Sequence, residues 1–249
     1  QGCINDEMTN YYVEFMKKHI FAYLNPPITS KVLPMYWYLG YNVHSKSVLE
    51  IGGVILASWI VPIHENRDGL DYWCTCMFGE DNPGDPYLIP TDRAVLDRRR
   101  KMILGPILEK AVKAGNIVIP EEFEAGFDHV TNLVRGLGME DDPNYYLTRG
   151  YPGSVNTYVF NSISTPDNNS YPPTNEETFI GYMHLSMFYN QAQLAEEYPA
   201  DKYPFLAEKF AFVQKYLKDK YQIDLEAIAN GPENWDLPLP PIPETPDEE

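Results

Sequence analysis

The feature that most constrains the fold is the separation of strand-like and helix-like patterns along the chain. Residues 48–61 are rich in β-branched side chains and are interrupted by Gly52-Gly53, which indicates strand, turn and strand. Thr174-Asn175-Glu176-Glu177 is a capping box that opens a helix. Apolar residues at helical spacing predict another helix from about Lys202 to Lys220. The sequence therefore predicts an α+β fold with a small sheet in its N-terminal half and a mainly helical C-terminal half.

Several other segments have weaker patterns of the same two kinds. Helical spacing, caps and glycine or proline stops predict four further helices, and β-branched residues predict one strand inside a long irregular stretch. The predicted helices are residues 7–24, residues 91–114 with a break at Gly105-Pro106, a helix that begins at Pro120 and carries Phe123, Phe127, Val130 and Val134 on one face, and a short helix after Asp224; the strand is residues 155–163.

The composition limits which classes of molecule the protein can bind. The 249 residues have a hydrophobic content of 44% and a formal net charge of −17. Such an acidic chain repels phosphate backbones, so nucleic acid is excluded as a partner. The basic run Arg98-Arg99-Arg100-Lys101 follows Asp97 in a predicted helix, and we interpret it as a solvated helix face.

The cysteines predict no disulfide framework. Cys74 and Cys76 are two residues apart, which is too close for an unstrained bridge and gives little support for zinc. We interpret both as buried or half-buried strand residues. Cys3 stands apart from them near the beginning of the chain.

Five short motifs resemble a family of bacterial outer-membrane zinc metallohydrolase lipoproteins that are associated with nutrient import in Bacteroidetes. The resemblance is best toward the end of the chain and implies a zincin-like body. The motifs are Pro120-Glu121-Glu122-Phe123, Glu177-Thr178-Phe179, Leu206-Ala207-Glu208-Lys209, Tyr216-Leu217-Lys218-Asp219 and Ile223-Asp224-Leu225.

The zinc signature of that family is missing where the resemblance places it. The family carries His-Glu-x-x-His on the helix before Pro-x-Glu-Phe, whereas this chain has Leu108-Glu109-Lys110-Ala111-Val112. Zincins use the two histidines as ligands and the intervening glutamate to activate water. Leucine and valine cannot hold zinc, so we expect a body without its metal, without a cofactor and without catalytic residues.

An active hydrolase with relocated ligands is the main alternative. The resemblance implies that a glutamate at the place of Glu177 serves as the third metal ligand in the family. His129 and His184 lie on the two helices that flank a family-like cleft. The candidate ligands are therefore His129, His184, Glu177 and Glu109.

The start of the chain resembles a processed lipoprotein. Gln1-Gly2-Cys3 is similar to the end of a lipobox, and Asn5-Asp6-Glu7 resembles the acidic signal for export to the outer face of the outer membrane. The resemblance implies that Cys3 is acylated. We therefore expect a lipid-anchored tether over residues 1–10, followed by one α+β domain over residues 11–230. The proline and acidic residues after Gly231 indicate a tail over residues 231–249.

The function implied by these features is that of a surface-exposed, non-catalytic lipoprotein. We expect an accessory or substrate-binding subunit of a TonB-dependent nutrient importer, with that importer and its lid lipoprotein as partners and a peptide or glycan as possible cargo. Candidate contact residues are aromatic residues of the irregular stretch before the capping box: Tyr145, Tyr146, Tyr151, Tyr158 and Tyr171.

A third hypothesis is a stand-alone glycan-binding lipoprotein. Exposed aromatic rings offer flat apolar faces with a polar tip, which suits sugars. The tryptophans to test are Trp37, Trp59, Trp73 and Trp235. Two weaker candidates for metal are the stretch from His64 to Asp68, which imitates the zincin pattern, and the acidic loop over residues 79–85, which offers oxygens to calcium.

Overall fold

The computed structural model describes residues 6–40, 43–62, 65–66, 71–76, 93–134, 138–152 and 171–233. Its contacts divide the chain into two compact units. The first unit contains residues 1–21, 33–103 and 234–249, and the second contains residues 22–32 and 104–233. The predicted domain over residues 11–230 therefore contains two units. Cys3, Tyr158, Trp235, the strand over residues 155–163, the stretch at His64 and the loop over residues 79–85 lie outside the described residues.

The first unit holds a small mixed sheet. Strand β1 (Tyr36–Gly40) pairs in parallel with β5 (Tyr72–Cys76), and β4 (Glu65–Asn66) pairs antiparallel with β5. One face of this sheet is packed inward, because Trp37 lies beside Trp73 with ring centroids 5.2 Å apart. Cys76 is buried and Cys74 is half-buried, which confirms the interpretation of both as strand residues.

A separate two-stranded hairpin is the second β feature of this unit. Strand β2 (His44–Ile51) pairs antiparallel with β3 (Val54–Pro62). Gly52 and Gly53 have φ values of +60° and +82°, which glycine adopts without strain and which a tight two-residue hairpin turn requires. The register shifts between Leu49 and Glu50, where β3 contains one extra residue. The predicted strand, turn and strand are confirmed.

The helices of the N-terminal half follow the predicted segments with one difference. Helix α1 (Asp6–Phe15) continues through a π-helical turn and a 3-10 turn to Tyr23, as predicted. Helix α3 (Arg93–Lys113) runs through Pro106 without interruption, so the predicted break is wrong. Proline costs a backbone hydrogen bond inside a helix. The flanking Leu104 and Ile107 are fully buried, and their packing offsets that cost.

The basic run on α3 is buried, so the interpretation of it as a solvated face is wrong. Arg99, Arg100 and Lys101 are each at most 5% exposed. The side chain of Asp97 lies 2.7 Å from both Arg100 Nη2 and Lys101 Nζ. Charged side chains can be buried when an opposite charge pairs with them, and the linear sequence does not show that burial.

The second unit is a helical body. It contains α2 (Pro26–Thr29), α4 (Glu121–Glu124), α5 (Asn175–Phe188), α6 (Gln191–Glu197), α7 (Pro204–Tyr221) and α8 (Leu225–Asn230). Helix α5 packs against α7 and α8. The predicted stripe on α7 is confirmed, since all four of its apolar side chains are buried: Leu206, Phe210, Val213 and Leu217.

The helix predicted after Pro120 is much shorter than expected. Helix α4 ends at Glu124, because Ala125 leaves helical geometry at ψ 125° and Gly126 follows at φ +90°. Phe123 is buried, whereas Val130 is 87% exposed, so the predicted common face does not form. The helix is stopped by backbone geometry at Gly126 rather than by loss of apolar spacing.

Two predicted helix caps in the C-terminal half, Thr174 and Asp224, are confirmed. Thr174 Oγ1 accepts a hydrogen bond from Glu177 N at 3.2 Å, and Glu177 Oε2 accepts one from Thr174 N at 2.8 Å. Asp224 Oδ1 accepts from Ala227 N at 3.0 Å. These caps satisfy amide groups that have no partner within the helix.

Removal of the cap at Thr174 should weaken the second unit. We expect Thr174→Ala to lower the free energy of unfolding by about 1 kcal/mol, because the side-chain acceptor for Glu177 N is lost. Urea unfolding followed by helical circular dichroism measures this change. Thr174→Ser keeps the hydroxyl acceptor and should stay close to the parent. Equal stability of all three proteins would contradict a stabilising role for this cap.

Candidate functional site

Both glutamates that the family resemblance singles out lie near the ammonium group of Lys113. Glu109 Oε1 accepts a hydrogen bond from Lys113 Nζ at 2.6 Å, while Glu177 is held by the backbone and hydroxyl groups of Thr174. The hydrogen bond to Glu109 raises the pKa of Lys113, and the negative charges of Glu176 and Glu177 add to this rise. Lys113 thus offsets the charge of Glu109, and the N-terminus of α5 offsets that of Glu177.

His129 is held in one orientation by the loop before α5. Its Nδ1 lies 2.7 Å from Pro173 O, and because a carbonyl only accepts, Nδ1 carries the proton there. The other ring nitrogen, Nε2, is buried and has no hydrogen-bond partner among the described residues. Tyr151 and Arg149 both donate to Asp128 O at 2.8 Å and fix the neighbouring backbone.

The structure does not bring the four candidate ligands together as a metal site. His184 lies on α5 and is 8% exposed. Among the residues that the structure describes, no three His, Cys, Asp or Glu side chains are grouped so that they could hold a metal ion. His129, His184, Glu109 and Glu177 therefore form no ligand set in this conformation.

Lys209 on α7 is a buried lysine, and the structure shows the acceptors of its hydrogen bonds. It is 3% exposed, and its Nζ donates to Ala125 O at 2.7 Å and to Phe123 O at 2.9 Å, with Glu122 O at 3.4 Å. These carbonyls belong to the end of α4 and the turn that follows it. The ammonium group thus satisfies the carbonyls that helix termination leaves without partners.

Aromatic rings complete the surroundings of this ammonium group. Nζ lies within 6 Å of four ring centroids, which belong to Phe123, Phe127, Phe205 and Phe212. Ring faces attract cations, and this attraction strengthens away from water. Burial nevertheless lowers the pKa of Lys209. Since the carbonyls use its N–H groups, we assign Lys209 a structural role.

Sequence reasoning missed this role, although a signal was present. Lys209 follows Leu206 by three residues and therefore falls on the apolar stripe of α7 rather than on its polar face. A charged residue inside an apolar stripe indicates a buried partner.

Most of the predicted tyrosine surface is buried. Tyr145, Tyr146 and Tyr151 are each at most 8% exposed, so their ring faces are not available to a ligand. Burial also raises the pKa of Tyr151 to about 12. Tyr171 alone among the described members of that set is exposed, at 68%.

Among the described residues, the largest group of exposed apolar side chains lies instead on the β2–β3 hairpin, which we call the hairpin arm. Eight of its large apolar side chains are between 46% and 63% exposed: Val48, Leu49, Ile51, Val54, Ile55, Leu56, Trp59 and Ile60. Isolated exposed apolar residues are ordinary, but a continuous set of this kind marks an interaction site.

The register of the hairpin arm divides these side chains between two faces. Paired residues of an antiparallel sheet share a face, and successive residues alternate. Leu49, Ile51, Val54 and Trp59 therefore share one face, which we call face A. The opposite face, face B, carries the only two charged residues of the arm, Lys46 and Glu50, together with Val48, Ile55 and Ile60.

A second exposed patch lies on the outer face of the β1–β5 sheet. Tyr36, Tyr38 and Tyr72 are 54%, 55% and 41% exposed. Tyr36 pairs with Tyr72 across the strands, and the rings of Tyr38 and Tyr72 lie 5.6 Å apart. We call these three residues the tyrosine face. Of the tryptophans, Trp73 is buried, Trp37 is half-buried and Trp59 is exposed on the hairpin arm.

Comparison with protein-family models, with curated proteins and with solved structures finds no match. The resemblance to metallohydrolase lipoproteins therefore stays a prediction from the motifs. Among the described helices, none is both long enough and apolar enough to cross a bilayer.

Lys209 offers a direct test of its structural role. We expect Lys209→Met to lower the free energy of unfolding by about 2 kcal/mol, because Phe123 O is left buried without its donor and Ala125 O loses its hydrogen bond. Chemical denaturation of the full chain measures the loss. The matched control is Lys215→Met, which removes a lysine whose side chain is 78% exposed and should change stability by less than about 0.5 kcal/mol. Equal effects of both changes would contradict the structural assignment.

Proposed function

We propose that this chain is a surface-exposed, lipid-anchored lipoprotein of the outer membrane. In this proposal it acts as a non-catalytic accessory or substrate-binding subunit of a TonB-dependent nutrient importer. The motif resemblance supports the location and the importer, and the similarity of Gln1-Gly2-Cys3 to a lipobox supports acylation at Cys3. The role of a subunit that attaches to another surface is supported by the exposed hairpin arm.

The hairpin arm is the observation that carries this proposal. A two-stranded sheet is only marginally stable in water, and three strands or packing on another element are usually needed. Here eight large apolar side chains remain between 46% and 63% exposed on such a sheet. Transfer of exposed apolar area out of water is favourable, so the arm is suited to attachment.

The proposal predicts stable association with the importer in the native membrane. A tagged full chain, purified from its own outer membrane in mild detergent, should bring the importer and its lid lipoprotein at comparable stoichiometry by mass spectrometry. Cys3→Ser should abolish labelling of the protein by a fatty acid supplied to the cells, since the thiol that would carry the acyl group is removed.

Two results would contradict this function. Purification of the chain without either importer component would remove the subunit role. Stoichiometric zinc that survives dialysis of the untagged protein, together with hydrolytic activity lost on chelation, would favour an enzyme with relocated ligands at His129, His184 and Glu177.

Glycan binding is a second candidate function, supported by the tyrosine face. Neighbouring exposed rings on a flat sheet can stack on sugar rings while their hydroxyl groups bond to sugar oxygens. Tyr36 and Tyr38 are two residues apart on β1 and are both more than half exposed. Both rings therefore face the same side of the sheet.

The glycan hypothesis predicts loss of binding when the tyrosine face is removed. We expect Tyr36→Ala/Tyr38→Ala to weaken retention on insoluble polysaccharides at least about tenfold, because each stacking ring is worth on the order of 1 kcal/mol. Affinity electrophoresis across a set of polysaccharides measures retention. Tyr171→Ala removes an exposed tyrosine outside the sheet and serves as the control. No retention of the parent protein on any polysaccharide would contradict the hypothesis.

A further inference from the structure

We propose that a cavity in the second unit binds a small zwitterion of the α-amino acid class, with the ligand carboxylate at Gln214 and Lys218 and the ligand ammonium group at Glu226. The cavity lies between α7, the first residue of α6 and the start of α8, and its volume is about 230 Å³. The inference goes beyond the proposed function and does not depend on it, because it concerns a site in the helical unit rather than the hairpin arm or the lipid anchor.

One face of α7 forms the floor of the cavity. Ala211, Gln214, Lys215 and Lys218 recur at intervals of three and four residues, so they project from the same side of the helix. Alanine at the first of these positions leaves room that a longer side chain would fill. The two lysine side chains are 78% and 60% exposed, so the cavity is open to solvent at this rim and a ligand can reach it.

Gln214 supplies the observation that points to a ligand. The residue is 8% exposed, and its Oε1 accepts a hydrogen bond from Gln191 Nε2 at 2.6 Å. Its own Nε2 is buried and has no hydrogen-bond partner among the described residues. A buried donor without an acceptor is costly. The terminal torsion of glutamine is soft, so a small rotation of the amide lets Nε2 donate to an oxygen atom of a molecule in the cavity.

Lys218 is the second group suited to a carboxylate. Its Nζ lies 2.7 Å from Asp224 Oδ2. An ammonium group has three N–H donors, so it can hold Asp224 and a ligand carboxylate at the same time. Lys218 follows Gln214 by four residues, which brings both donors to the same side of α7. A carboxylate in the cavity therefore receives a neutral donor and a charged donor together.

Carboxylates around the same lysine attract the ammonium end of the ligand. The hydrogen bond to Asp224 raises the pKa of Lys218, and the negative charges of Glu226 and Asp219 add to this rise. Asp224 also caps α8, and Asp219 pairs with Lys215, so both are already engaged within the protein. Glu226 in the first turn of α8 is therefore the carboxylate assigned to the ligand.

The charge and size of the cavity favour a small zwitterion over other ligands. Three carboxylates and two lysines line it, so a ligand with a single charge meets repulsion as well as attraction. None of the described side chains that line it is aromatic, so no ring is available to stack on a sugar. Liquid water takes about 30 Å³ per molecule, and a volume of about 230 Å³ therefore holds about eight non-hydrogen atoms. Small amino acids have this size, whereas sites for drug-sized ligands begin at about 300 Å³.

The test uses the purified full chain and ligand-detected NMR titration. The probes are L-threonine, L-serine and L-valine, with two analogues of threonine that each lack one charge. The analogue 1-amino-2-propanol lacks the carboxylate, and 3-hydroxybutanoate lacks the ammonium group. We expect saturable binding of at least one amino acid with a Kd of about 1 mM or below, as a ligand of this size allows. For threonine, each analogue should bind at least about ten times more weakly, because one charged contact is lost.

Three single variants test the assigned residues. Gln214→Met removes the buried donor, Lys218→Met removes the ammonium group, and Glu226→Gln removes the charge that holds the ligand ammonium. Each should weaken binding at least about fivefold. Lys220→Met removes a lysine of the same helix that does not line the cavity, and it should stay within about twofold of the parent. Lys218 is 60% exposed, so its replacement keeps the fold even if Gln214→Met does not.

Three outcomes would overturn the proposal. Absence of saturable binding by all three amino acids at about 10 mM would show that the cavity holds water only. Equal affinity for threonine and for one of its analogues would assign the cavity to a ligand with a single charge. Binding of D-glucose in place of the amino acids would assign it to a sugar. None of these measurements involves the importer, so the importer co-purification decides the proposed function separately.

Discussion

The buried contact between Lys209 and the end of α4 is the interaction on which the helical unit depends. A lysine inside an apolar core is unfavourable unless its charge is satisfied, and here two backbone carbonyls accept from it at 2.7 Å and 2.9 Å. The same hydrogen bonds connect the end of α4 to the middle of α7. The rings of Phe123 and Phe179 meet edge to face with centroids 5.0 Å apart, which brings α5 into the same cluster.

Local signals predicted the elements whose geometry is set by neighbours in the chain. The capping box at Thr174, the N-cap at Asp224, the stripe of α7 and the glycine turn of the hairpin are all confirmed. Each depends on side chains within four residues or on a backbone angle that glycine permits. These signals do not require knowledge of what packs on the element.

The features that sequence did not predict depend on distant partners. Burial of Arg100 with Asp97 and of Lys209 with α4 requires a surrounding core that no local window contains. Tyr145, Tyr146 and Tyr151 occur in a proline- and glycine-rich stretch typical of surface loops, yet they are buried. Tyr182 on α5 donates to Gly150 O at 2.5 Å, which ties that stretch to the helical core.

In the hairpin arm, the apolar run in the sequence does not show which residues share a face. Hydropathy finds the run from Val54 to Val61 but not which of its residues share a side with Lys46 and Glu50. The register supplies that knowledge, because an extra residue in β3 shifts the alternation between Glu50 and Leu49. Without that bulge, every residue of β3 beyond it would change faces, and Trp59 would join the side that carries both charges. The position of Trp59 on the uncharged face is therefore a consequence of one extra residue in β3.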